Sequence, residues 1–176
     1  MEITENLIPQ GRTPRPGAGN TMEYITIHET ANRNEGANAR AHAKYLNSLD
    51  ERTSWHYTVD DTSIFRHIPD CEKSYHTSNR TANESSIAIE LCVNRDGDFE
   101  KTCKNAIWLV RELRQKYGIP PENIRTHRDW TGKTCPATLL KDGLAEFLAA
   151  CREDGTEEKF ITFDELRRLG FSGIKF

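Results

Sequence analysis

The sequence predicts a mixed α/β fold: a central mixed β-sheet with helices packed on its faces. Three observations carry that reading. Short apolar segments at 24–28 and 86–93 have the length and composition of buried strands. Other stretches place apolar residues at the three- and four-residue spacing of amphipathic helices. The two kinds of element mix without strict alternation, and no internal repeat is visible.

The chain of 176 residues suits one domain with a full core. With 36% apolar and 29% charged residues it reads as globular and polar-leaning. A net charge of −3 offers no electrostatic footprint for nucleic acid. No apolar run reaches the ~18 residues of a membrane span. The start, from Met1 to Gly17, lacks the basic and apolar regions of a secretory signal. The expectation is synthesis in the cytoplasm and action elsewhere only after release. Five cysteines, Cys71, Cys92, Cys103, Cys135 and Cys151, make an odd set without a CxxC pair, which argues against a disulfide framework.

In order along the chain, residues 1–22 read as an irregular lead-in, broken by Pro9, Gly11, Pro14, Pro16, Gly17 and Gly19. A strand follows at 24–28. Residues 37–49 read as a helix, with Ala39, His42, Leu46 and Leu49 on one stripe. Residues 54–59 and 63–68 form a hairpin about Asp60-Asp61. Residues 69–85 are a polar loop. The most apolar run, 86–93, suits a central strand, and Glu90 interrupts it. Residues 101–117 make the best helix, with Cys103, Ala106, Val110, Leu113 and Tyr117 in one stripe and Gly118 as its stop. Residues 124–127 are a short strand leading into a polar loop. A third helix spans 136–152, with Leu140, Leu144, Phe147 and Cys151 on one face. A charged linker at 153–159 and a short helix at 162–169 close the sequence.

The polar loop carries the chemistry. His127 and Cys135 flank it, and Lys133 stands two positions before the cysteine. Imidazole and thiolate are zinc ligands, and a catalytic zinc takes three protein ligands and leaves one position open. His28, at the end of its strand, is the candidate third ligand, because element ends present side chains to clefts. Each of these residues alone fits an ordinary buried position equally well. Glu90 is open to three readings: a buried ion pair, a solvent-facing strand position, or a general base that then serves as general acid to a leaving amine. Lys133 is either a solvated loop lysine or an oxyanion partner. His56, in Ser54-Trp55-His56-Tyr57, reads as structural or as orienting a ligand. His76 reads as lining the cleft or binding substrate, and His42 and His67 as ordinary buried histidines.

Four segments then carry a likeness: Ile25-Thr26-Ile27-His28, the run from Ser54 to Asp61, Ile87-Ala88-Ile89-Glu90, and the stretch from His127 through Trp130 to Cys135-Pro136. In this order they resemble the type 2 N-acetylmuramoyl-L-alanine amidases, zinc hydrolases of peptidoglycan found in phage endolysins and bacterial autolysins and related to peptidoglycan recognition proteins. The likeness covers residues 22–150. It implies a zinc groove on one face of the sheet, with one Zn2+ held by His28, His127 and Cys135. It puts the catalytic glutamate on Glu90 and the catalytic lysine on Lys133. The implied reaction is hydrolysis of the amide between N-acetylmuramic acid and L-alanine, with bacterial peptidoglycan as partner. Trp55, His76 and Trp130 are candidate substrate contacts.

The sequence departs from the family in one place. Some members carry a tyrosine where Trp55 stands, so any titrating role there passes to Glu90, or Tyr57 must reach the site. The implied organisation is a catalytic domain over 1–152 and a linker with a short apolar tail over 153–176, too short for a complete wall-binding domain. The competing readings are a module that holds muropeptides without cutting them and a protein with a structural zinc. Loss of a ligand would be expected of the first, yet all three candidates are kept. The second needs a fourth protein ligand, and only His76 could approach in space.

Overall fold

A computed structural model of the chain describes residues 1–153. The linker beyond 153 and the short helix expected at 162–169 lie outside them. The elements in chain order are β1 (Ile3–Glu5), β2 (Tyr24–Glu29), α1 (Ala39–Ser48), β3 (Tyr57–Val59), β4 (Ile64–Arg66), α2 (Arg80–Ser85), β5 (Ser86–Leu91), α3 (Phe99–Tyr117), β6 (Ile124–Thr126), α4 (His127–Thr131), α5 (Ala137–Lys141) and α6 (Leu144–Arg152). The six strands form one mixed sheet in the order β1-β4-β3-β5-β2-β6. Only the β3–β4 hairpin is antiparallel; the other neighbours pair in parallel.

Strand alternation divides the chain between two faces. Ile25 and Ile27 of β2 and Ile87, Ile89 and Leu91 of β5 enter the larger core, against Leu109, Val110 and Leu113 of α3 and Phe147 of α6. Each such side chain, fully withdrawn from water, contributes roughly 1.5–3 kcal/mol. On the opposite face Ala88 packs with Leu46, Trp55, Ile68 and Ile8. That face also carries Thr26, His28 and Glu90, the alternate positions of β2 and β5.

Helix ends follow capping chemistry. Asn38, Asn79 and Asp98 accept backbone N–H bonds at the starts of α1, α2 and α3. Gly118 ends α3 in the left-handed conformation. Away from the site, expectation and structure differ in three places. The lead-in contains β1, which pairs Ile3 with Ile64, and Asn6 and Ile8 continue its hydrogen bonds to Arg66 and His67. The polar loop before β5 contains α2, whose sequence Arg-Thr-Ala-Asn-Glu-Ser has no apolar stripe to reveal it. The expected single helix over 136–152 is two, because Asp142 is extended and Gly143 sits at φ 94°, a region that favours glycine.

Asp70 ties the hairpin to α3. Its buried carboxylate accepts from the Tyr57 and Tyr117 hydroxyls and faces Lys116 Nζ at 3.2 Å and Arg66 Nε at 3.3 Å. Burial pushes its pKa up, but the hydroxyl and cationic partners prevail and hold it below the ordinary value. Asp70→Ala is therefore expected to cost about 3–5 kcal/mol in urea unfolding, since it strands buried donors. Lys116→Ala, at a more exposed partner, is expected to cost less than about 1 kcal/mol.

Candidate metal centre

The register of the central strands assembles the site. β2 and β5 pair in parallel with His28 beside Glu90. β2 and β6 pair with Ile27 beside Thr126, so His127 follows at the level of His28. All three residues thus stand at the carboxyl ends of adjacent parallel strands, where open α/β sheets form clefts.

Thr126 and Asp129 fix His127 locally. They form a reciprocal capping box, with the Thr126 hydroxyl accepting from Asp129 N–H and the Asp129 carboxylate accepting from Thr126 N–H. The sequence Thr-His-Arg-Asp therefore starts a one-turn helix where a loop is expected, and His127 occupies its first position. Gly132, at φ 78°, turns the chain back. The return is held by Arg128 N–H donating to the Cys135 carbonyl at 3.1 Å. Glu29, which no motif or periodicity in the sequence marks, completes the clamp. Its backbone N–H donates to Cys135 Sγ at 3.5 Å, and its carboxylate accepts from the N–H groups of Thr138 and Leu139, each at 2.9 Å.

His28, His127 and Cys135 offer donor atoms that all lie within 4.8 Å of one another, the one such cluster among the described residues. His28 Nδ1 is 3.0 Å from His127 Nδ1 and 3.8 Å from Cys135 Sγ. Tetrahedral zinc would separate two imidazole nitrogens by about 3.3 Å and a nitrogen and a thiolate by about 3.6 Å. The donor set and its spacing fit that ion. Glu90 Oε1 stands 3.9 Å from His28 Nδ1, and Glu90 Oε2 is buried without a hydrogen-bond partner among the described residues.

Burial dominates the electrostatics. It pushes His28 well below the ordinary histidine value, with His76, His127 and Lys133 adding to the fall. It lowers His127, with Lys133 again contributing. Burial raises the Cys135 thiol to about 11, against the pull of the Glu29 N–H. A thiol held protonated is a poor nucleophile, so a cation is needed to make it a thiolate. Burial raises Glu90 to about 8, and Lys133 partly offsets it. The ammonium of Lys133 belongs to an exposed residue but acts on His28, His127, Cys135 and Glu90 alike.

The other candidates fall elsewhere. His76 is buried behind His28, with Nδ1 at 2.9 Å from His28 Nε2 and Nε2 at 3.1 Å from the Ala82 carbonyl. Trp55 is 7% exposed, and its indole N–H donates to Thr58 Oγ1 at 2.7 Å. It packs in the smaller core with Leu46, Ile68 and Ala88, where its bulk fills the space beneath α1. Tyr57 cannot replace a titrating tyrosine, since alternation turns it to the opposite face, where its hydroxyl meets Asp70. His56 is fully buried, accepts from Ala88 N–H at 2.9 Å and contacts the Glu72 carbonyl at 2.9 Å. It braces the backbone of β5 and, among the described residues, bonds to none of the three candidate ligands. Trp130 is half-buried, donates to Thr26 Oγ1 at 3.0 Å and stacks edge-on with Tyr24.

Comparison with known proteins gives the family. Residues 18–138 match the family model described as N-acetylmuramoyl-L-alanine amidase. The chain belongs to that family. It is 46% identical over 142 residues to the N-acetylmuramoyl-L-alanine amidase XlyA of Bacillus subtilis strain 168, covering 80% of this chain and 48% of XlyA. It is 42% identical over 162 residues to the amidase CwlH of the same organism, covering 90% of this chain and 64% of CwlH. The solved catalytic domain of XlyA superposes with a TM-score of 0.83 at 44% identity, over 86% of this chain and 99% of that domain. The chain therefore spans about half the length of XlyA and nearly all of its catalytic domain. Among the described residues of this amidase-family chain, no helix is long and apolar enough to cross a membrane.

The raised Glu90 value has a thermodynamic consequence for the metal-free protein. Between its unfolded value near 4.5 and its folded value of about 8, the native state retains a proton that the unfolded state has lost. Stability therefore falls as pH rises through that window. Metal-free Glu90→Gln is expected to match the parent near pH 4 and to exceed it by up to a few kcal/mol at pH 8–9 in chelator-treated thermal or urea unfolding. Equal stability of the two proteins at both pH values would contradict the assignment.

Proposed function

We propose that residues 1–152 form a zinc-dependent amidase domain that hydrolyses the bond between N-acetylmuramic acid and L-alanine in bacterial peptidoglycan. The observation that carries this reading is the convergence of two histidines and a cysteine beside a buried carboxylate. The extensive likeness to amidases supports it. A role as a phage or prophage endolysin, acting on the wall after release from the cell, rests on the same family likeness.

His28 Nδ1, His127 Nδ1 and Cys135 Sγ would hold the zinc. When bound, the ion supplies Lewis acidity that polarises the scissile carbonyl and eases deprotonation of water. The remaining work falls to the chain. Glu90, held in a largely water-excluded position, takes a proton from the attacking water as the C–O bond forms. It returns that proton to the amide nitrogen as the C–N bond breaks, so the leaving alanine departs as a neutral amine. Lys133 places positive charge where the carbonyl oxygen becomes an oxyanion, and its exposed position at the rim lets it meet an incoming substrate. Trp130 of α4, half-buried against Thr26 and Tyr24 of β2, is a candidate wall for the substrate groove.

Purified protein is expected to bind one zinc per chain and to release wall fragments with new N-terminal alanine. Walls left intact by zinc-replete protein would overturn the enzyme reading in favour of a binding module. Glu90→Gln is expected to keep its zinc while losing at least 100-fold in kcat. Lys133→Ala is expected to lose roughly 10- to 1,000-fold with zinc content unchanged. Full activity in either variant removes that residue from the mechanism.

A further inference from the structure

Behind His28 runs a chain of hydrogen bonds whose direction is dictated from its far end. His76 Nε2 lies 3.1 Å from the Ala82 carbonyl oxygen. The Ser86 hydroxyl lies 3.3 Å from the same nitrogen and can accept from it, with its own proton directed to Thr26 Oγ1 at 2.7 Å. A carbonyl only accepts, so the shorter contact puts the His76 proton on Nε2. His76 Nδ1 lies 2.9 Å from His28 Nε2. Among the described residues no carboxylate bonds to His76, so a doubly protonated ring would be a buried cation without a counter-charge. The neutral ring that remains has a bare Nδ1, which accepts from His28 Nε2–H. His28 Nδ1 is then left with its lone pair, directed toward His127 and Cys135.

The opposite tautomer of His28 would set two lone pairs against each other at that contact and would point an N–H into the metal centre. Backbone anchoring keeps the arrangement in place. Asn83 Oδ1 accepts from the N–H groups of both His76 and Thr77, at 3.1 and 3.0 Å, and the α2 turn presents the Ala82 carbonyl. The two rings meet edge to face with centroids 5.0 Å apart.

We propose that His76 is a positioning residue that fixes the tautomer of His28, so that His28 Nδ1 is always available to the metal. The proposal rests on the reading of His28 as a ligand. It also separates the two histidines of the site. His127 Nε2 has no protein partner among the described residues, so its tautomer is free to change. In the metal-free protein His127 supplies the proton in its 3.0 Å contact with His28 Nδ1. Metal binding must move that proton to His127 Nε2, while His28 stays as it is.

The test is long-range proton–nitrogen NMR of the 15N-labelled full chain, first metal-free and then with zinc alone. The expected result is His28 protonated on Nε2 in both states, with His127 changing from Nδ1–H to Nε2–H. His28 protonated on Nδ1 in the metal-free protein overturns the proposal without the need for any variant. Two substitutions give a second readout by competition against a chromophoric zinc chelator. His76→Asn keeps an acceptor oxygen where Nδ1 stood and is expected to hold zinc within about threefold of the parent. His76→Leu removes the acceptor and is expected to weaken zinc binding roughly 10- to 100-fold, the usual range for partners of ligating histidines. Equal affinities in the two variants overturn the proposal. A protein that shows the expected tautomers and the split affinities yet leaves cell walls intact supports the positioning role and overturns the amidase reading alone.

Discussion

The parallel pairing of β2 with β5 is the constraint on which the rest of the molecule depends. Its register sets His28 level with Glu90 and leaves Ile25, Ile27, Ile87 and Ile89 on the core face. Side chains alternate along a strand, so a slip of one residue would bury the histidine among α3 side chains and expose the isoleucines. Core packing and site assembly are therefore enforced by the same choice. The isoleucines hold the register, and the register holds the histidine and the carboxylate at one level.

That coupling explains how much of the molecule was legible in its sequence. The strands 24–29 and 86–91 and the long helix α3 announce themselves, because burial on a face leaves a periodic or continuous apolar signal. The site residues are legible as residue types in a family-like order. Their proximity is not, because no local pattern records which strand lies beside which. The three-residue strand β1 is too short for a period, and α2 is held by its asparagine cap and not by an apolar stripe. Trp55 and His76 show the limit most clearly. An aromatic and a histidine near a cleft motif read as substrate contacts, yet in three dimensions one fills the smaller core and the other stands behind a candidate ligand.

Burial sets the charge of the site. With neutral imidazoles, a thiol and a protonated carboxyl, the cluster holds little charge of its own, and the ammonium of Lys133 stands at its edge. A dication entering such a pocket displaces protons instead of joining a ready-made cage of anions. Glu90 is drawn the same way, since positive charge nearby favours its ionised form. The carboxyl that resists ionisation alone would ionise more readily beside a cation.

Cys135 sits on a return loop clamped by Glu29 and Arg128, outside the larger core that α3 and α6 build against the sheet. The fold and the donor set thus occupy separable layers of the molecule. The inner layer of isoleucines and leucines is complete without any contribution from the donor atoms. The outer layer can exchange one donor for another of similar size without disturbing that packing. A scaffold of this kind can drift in its chemistry, from cutting a polymer to merely gripping it, through a single change on the loop while the architecture beneath stays the same.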